Sequence, residues 1–98
     1  MRIYSKGTLR KFWETHSDAR ISLESWYELV ENKQYASPHD VLQDFPSADQ
    51  VGNGRIVFNI AYNRYRLVAK FEYAIRCVFV RFIGTHKEYD NISDIKNI

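Results

Sequence analysis

Ninety-eight residues, 45% hydrophobic and 15% aromatic with a net charge of +2, make enough chain for one globular domain over 1–98 and too little for a second. The longest apolar run is the four residues Cys77 to Val80, and no apolar stretch follows Met1-Arg2-Ile3-Tyr4-Ser5-Lys6, so neither a membrane span nor a secretory signal is expected and the reading is cytoplasmic. The single cysteine, Cys77, allows no disulfide or zinc framework and reads as a small buried hydrophobe.

In chain order, Arg2-Ile3-Tyr4 predicts a short first strand, after which Ser5 or Thr8 caps a helix with Leu9, Phe12 and Trp13 at helical spacing. His16-Ser17-Asp18 breaks that pattern and caps a second helix marked by Leu23, Trp26, Leu29 and Val30, ending near Lys33, with Glu24, Glu28 and Glu31 on its solvated face. Trp13 and Trp26 lie on the apolar stripes and read as core. Ser37-Pro38-His39-Asp40 opens a short helix through Val41, Leu42 and Phe45, and Pro46 stops it. Residues 47–54 are rich in turn formers and read as a loop.

From Arg55 the period becomes two. Ile56, Phe58 and Ile60 alternate with Arg55, Val57 and Asn59; then, past a turn at Tyr62-Asn63, Tyr65, Leu67, Ala69 and Phe71 alternate with Arg64, Arg66, Val68 and Lys70. Charge changes sign here: residues 1–50 hold six Lys/Arg against eight Asp/Glu, whereas 51–90 hold seven against three. A basic half suggests a polyanionic partner. After a turn at Glu72-Tyr73-Ala74, the strand from Ile75 to Ile83 is closed by Gly84, and the polar run Thr85-His86-Lys87-Glu88-Tyr89-Asp90 reads as a rim loop. Short connections make these strands antiparallel. The expected fold is α+β: an N-terminal short strand and two to three helices packed on one face of a small, mainly antiparallel sheet. Its other face is partly open and carries Arg64, Arg66 and Lys70, and residues 91–98 close with a fraying helical turn.

This order of elements, with Phe45-Pro46-Ser47, Val57-Phe58-Asn59, Tyr65-Arg66-Leu67-Val68 and the closing Thr85-His86-Lys87-Glu88-Tyr89-Asp90, resembles the HigB toxins within the RelE-like superfamily of bacterial toxin–antitoxin systems. The likeness runs from about Ile3 to Ile92, and the closing hexapeptide is its specific part. The resemblance implies a small endoribonuclease that cuts messenger RNA on the ribosome, with ribosomal RNA contacts, silenced by a helix-turn-helix, HigA-like antitoxin. It implies no membrane, no metal and no small-molecule cofactor. The 2′-hydroxyl attacks the adjacent phosphorus, leaving a 2′,3′-cyclic phosphate and a 5′-hydroxyl.

By the same resemblance Arg66 is the strand arginine that contacts the scissile phosphate. His86 holds the position usually assigned to protonating the leaving 5′-oxygen. Lys87 and Tyr89 match positions near that phosphate, and Asp90 closes the motif in a catalytic or a structural role. The chain departs from many relatives in lacking lysines on the strand before Arg66, where only Arg55 and Asn59 stand, which leaves the general base unassigned. The alternative is a non-catalytic small RNA- or protein-binding domain of the same fold.

The residue types suit the chemistry independently of family. Transesterification by the 2′-hydroxyl needs one proton taken, one given and charge stabilised on the phosphorane between. A guanidinium is permanently charged and forks onto two phosphate oxygens, and imidazole titrates close enough to neutrality for either proton role. Arg55, Arg64, Lys70 and Arg76 are candidate contacts to RNA backbone. Arg81 reads equally well as such a contact or as a core-edge ion pair.

Overall fold

Two alternating segments make the centre of the sheet. In the computed structural model, which describes residues 1–98, β3 (Arg55–Ile60) and β4 (Tyr65–Glu72) pair antiparallel with Phe58 opposite Leu67 and Asn59 opposite Arg66. They are flanked by β5 (Cys77–Thr85), antiparallel to β4, and by β2 (Asp49–Gly52), antiparallel to β3. The N-terminal strand β1 (Arg2–Tyr4) joins β5 in parallel, so the order is β1-β5-β4-β3-β2.

Three helices, α1 (Lys6–Thr15), α2 (Arg20–Glu31) and α3 (Pro38–Asp44), cover one face. Leu9, Leu23, Trp26, Val30 and Val41 are buried against Ile56, Phe58, Ile60, Leu67, Ala69 and Phe71. The apolar stripes and alternating strands are complementary surfaces, and joining them removes both from water. Phe58 is the hub: Trp26 and Phe45 meet its ring edge-on at 5.4 and 5.0 Å, and Phe71 lies at 6.1 Å. No helix is long and apolar enough to cross a membrane.

Four local features differ from the sequence expectation. Residues 49–52 are not loop but edge strand, because Gly52, Asn53 and Gly54 take positive φ (108°, 50° and 77°) and turn the chain back onto β3. The last strand starts at Cys77 instead of Ile75: Tyr73–Ile75 form a 3-10 turn, ended by Arg76 in the left-handed region at φ 57°. It runs two residues past Ile83, and His86–Asp90 then form a helix, α4, where a loop was expected. Finally, the tail closes with the expected helical turn, a 3-10 turn at Ile95–Asn97, but it is tied down instead of fraying. Both Nε and Nη2 of Arg55 donate to the Ile98 carbonyl oxygen at 3.2 and 2.7 Å, and Asn53 bonds Asn97 at 3.0 Å. Since α4 follows the opposite end of the strands, 91–98 must return along the β2–β3 side of the open face.

β5 contains one further irregularity. Val68 pairs with Phe82 while Ala69 pairs with Val80, so Arg81 is an extra residue with no partner, a β-bulge. Val78 and Val80 pair with Phe71 and Ala69 on the helix side, and beyond the bulge Ile83 does so with Leu67. Gly84 is thereby brought opposite Arg66 on the open face. Arg81 itself is exposed and its guanidinium lies over the Phe79 ring at 5.7 Å.

Candidate active site

A five-residue helix is too short to hold itself, so α4 depends on its cap. Thr85 Oγ1 accepts from Glu88 N at 3.1 Å and Glu88 Oε1 accepts from Thr85 N at 2.8 Å, a reciprocal capping box. The Thr85 backbone N–H first, and its side chain second, hold the Glu88 carboxyl below its ordinary pKa. Gly84 makes room for this cap. A Cβ there would lie 2.6 Å from Phe82 Cζ and 3.0 Å from Glu88 Oε1.

The helical period then gathers the chemistry. His86, Tyr89 and Asp90 fall at i, i+3 and i+4 and face the same way. Arg66 reaches them from β4: its Nη2 donates to His86 Nε2 at 2.8 Å, and its guanidinium carbon lies 5.7 Å from the Tyr89 ring centre. On the far side of the imidazole, Nδ1 is 3.0 Å from Asp90 Oδ2. Phe82 stands beside Tyr89, ring centres 6.5 Å apart.

Hydrogen-bond directionality fixes the protonation pattern of this row. A guanidinium only donates, so Nε2 must accept and carry no proton; Nδ1 then carries one and donates it to Asp90. In this arrangement His86 is the neutral Nδ1–H tautomer, with its Nε2 lone pair occupied by Arg66. Arg66 has donors to spare, because its Nε is buried without a partner. A buried charged donor left unbonded is costly, and an anion at this spot relieves the cost.

The remaining candidates are dispersed. Lys87 is exposed, in no ion pair, and stands about 100° round α4 from His86. Arg64 leads into β4 and donates to Asp18 Oδ2 at 2.7 Å. Lys70 is paired with Glu72 at 2.7 Å, and Arg55 is buried with its guanidinium on the Ile98 and Asn53 carbonyls. Arg76 is exposed at the start of β5, about 30 Å along that strand from His86. No three His, Cys, Asp or Glu side chains are grouped so as to share a metal ion. A hollow of about 230 Å³ between Trp26, Leu29, Phe45 and Phe58 opens on the helix side, apart from this row.

Two contributors escape sequence reading although a signal for one is present. Thr85-His86-Lys87-Glu88 has the Thr-x-x-Glu spacing of a capping box, which marks a helix where a loop was expected. Asp18 carries no local signal, because its partners Arg64 and Tyr65 lie 46 and 47 residues away.

Residues 19–92 match a protein family described as HigB_toxin, RelE-like toxic component of a toxin-antitoxin system. The chain is also 24% identical over 95 residues to a protein of Escherichia coli O6:H1 called mRNA interferase HigB, covering 95% of this chain and 92% of that one.

Proposed function

The chain belongs to the HigB toxin family, the RelE-like toxic component of toxin-antitoxin systems, and on that premise we propose that it is an endoribonuclease that cuts messenger RNA on the ribosome, in the cytoplasm, until a helix-turn-helix antitoxin silences it. The observation that carries the reading is the Arg66–His86–Asp90 row, in which a partly unbonded guanidinium holds the nitrogen of an oriented imidazole.

The row has the parts of a phosphodiester transesterification. A scissile phosphate competes with His86 Nε2 for the Arg66 guanidinium and wins, since it brings opposite charge and two oxygens on which the guanidinium can fork, where the neutral imidazole offers one lone pair. Arg66 then neutralises the charge that grows on the phosphorane, and Nε2 is released toward the reacting oxygens. The 2′-oxygen bonds to phosphorus as its proton leaves, the bond from phosphorus to the 5′-oxygen breaks, and the 5′-oxygen takes a proton. The products are a 2′,3′-cyclic phosphate and a 5′-hydroxyl, so no oxidant, metal or cofactor enters the balance. Asp90 keeps Nδ1 protonated and offsets the positive charge of the imidazolium that forms when Nε2 gains a proton. Tyr89, with Phe82 beside it, offers a ring against which a neighbouring base can stack, and Lys87 adds a solvent-facing cation along the RNA path.

His86 enters the cycle as an acceptor at Nε2, which fits removal of the 2′-hydroxyl proton. Giving a proton to the 5′-oxygen requires it to be charged first. The pH–rate profile separates these roles: activity that falls on acidification marks His86 as the base, and activity that falls on alkalinisation marks it as the acid.

Mapping the 5′ ends of cellular messages after brief expression tests the function itself. The wild type should create new ends and arrest growth, and His86→Ala, still folded, should do neither. Growth arrest without new ends overturns the proposal in favour of a non-catalytic binder.

A further inference from the structure

α4 is capped at its own start, yet something must fix where that start lies relative to Arg66. The only backbone hydrogen bond that His86 N donates outside its helix goes to the Arg64 carbonyl oxygen, at 3.2 Å. The next residue, Tyr65, pairs with Thr85, the cap of α4. Arg64 and Tyr65 follow a turn in which Ala61 and Tyr62, neither a glycine, take φ of 50° and 62°. Such a turn is not held by its own backbone preference and needs outside anchors.

The helix layer supplies them. Ser22 Oγ accepts from Ala61 N at 3.2 Å. Asp18, in the single 3-10 turn between α1 and α2, accepts from Arg64 Nη1 through Oδ2 at 2.7 Å and from the Tyr65 hydroxyl through Oδ1 at 2.5 Å. One carboxylate thus grips both residues that seat α4, and it joins two layers of the fold at the point where they meet the active-site row. Arg64 is neutralised in doing so.

We propose that Asp18 is a positioning residue for His86, acting through the Arg64 carbonyl and the Tyr65–Thr85 pair without touching RNA. This rests on the reading of His86 as the proton-transfer group. Without the carboxylate, the Arg64–Tyr65 corner relaxes, the His86 N–H loses its fixed acceptor, and the imidazole drifts from Arg66. Arg64 acts as backbone, and its side chain is not a phosphate contact.

Two variants and two measurements test this. Asp18→Ala removes both bonds, and Tyr65→Phe removes one hydroxyl from an otherwise unchanged core ring. On ribosomes programmed with a defined message, Asp18→Ala should lower kcat about tenfold with KM within about twofold, and Tyr65→Phe should lower it less, since small misplacements act on rate more than on binding. Hydrogen exchange at the His86 amide should speed up about tenfold in Asp18→Ala, reporting local opening without loss of the global fold. Unchanged kcat in a folded Asp18→Ala overturns the proposal, as does unchanged His86 exchange. Tighter RNA binding in Asp18→Ala overturns it too, because it would show Arg64 freed to meet phosphate. If the wild type fails to cut messages at all, the nuclease reading has failed, and the exchange measurement still decides whether Asp18 seats His86.

Discussion

The two ends of the open sheet face carry similar charge and do different things with it. At the end near the β2–β3 turn, Lys70 is paired with Glu72 at 2.7 Å and both Nε and Nη2 of Arg55 bond the Ile98 carbonyl. At the α4 end, Arg66 meets only a neutral imidazole and an aromatic ring, keeps one buried donor unbonded, and has Lys87 nearby without an acidic partner. A count of basic residues treats these ends as equal. Availability distinguishes them: a cation already spent on a carboxylate or carbonyl must give that up before it can serve a phosphate, whereas an underused one gains on meeting it.

The sharpest way to break this contrast is at Arg66 and His86. Arg66→Ala and His86→Ala should each reduce cleavage by about a hundredfold or more while leaving the melting temperature near wild type, in line with loss of a transition-state donor or a proton-transfer group. If either variant cuts normally on programmed ribosomes, the active end has been misplaced.

A smaller loss is expected at Gly84. Gly84→Ala presses a methyl into Phe82 Cζ and the Glu88 carboxylate, so the cap of α4 should loosen and cleavage fall by about tenfold, a typical cost of a small misplacement. Amide exchange across 86–90 would show the loosened helix directly.

The far end supplies the control. Lys70→Ala should change cleavage by less than about twofold, because its ammonium is already held by Glu72 at 2.7 Å. A strong loss of binding with a reduced salt slope would show that Lys70 abandons Glu72 for RNA, and would erase the distinction between the ends.

The smallest effect is one of pH on stability. The Tyr65 hydroxyl, and then Arg64, hold the Asp18 carboxyl below its ordinary value of 3.8. A depressed folded-state pKa means that stabilisation is present above the unfolded value and is lost as pH falls through the folded one. The gap in melting temperature between wild type and Asp18→Asn should therefore be open at pH 7 and close as pH drops below about 4.

Much of this could be read from the sequence, and the parts that could not have a common cause. Hydrophobic periodicity placed α1, α2, α3, β3 and β4, because each follows a repeat of 3.6 or 2 residues set by local geometry. Arg66 and the 86–90 run came forward through the HigB likeness, and Thr85 and Glu88 carried a capping signal within four residues. Hidden were the pairings across distance: Asp18 with Arg64 over 46 residues, and Arg55 with Ile98 over 43. Local pattern also gave no sign of the bulge at Arg81, since Val78-Phe79-Val80-Arg81-Phe82-Ile83 reads as one unbroken apolar alternation with a single charge.

That extra residue acts as a phase shifter. Up to Val80 the even-numbered side chains of β5 belong to the core, and after Arg81 the odd-numbered one at Ile83 does. One strand is thus divided into a structural half and a presenting half with opposite parity. Drawing Arg81 into the ladder opposite Val68 would restore a single phase across the unshortened strand: Phe82 and Gly84 would turn toward the helices, and α4 would begin its rotation half a pleat out of step with Arg66, whereas deleting residue 81 would keep Phe82, Ile83 and Gly84 opposite Val68, Leu67 and Arg66. The site can therefore be switched off by a one-residue slip in pairing that deletes no side chain of the Arg66–His86–Asp90 row.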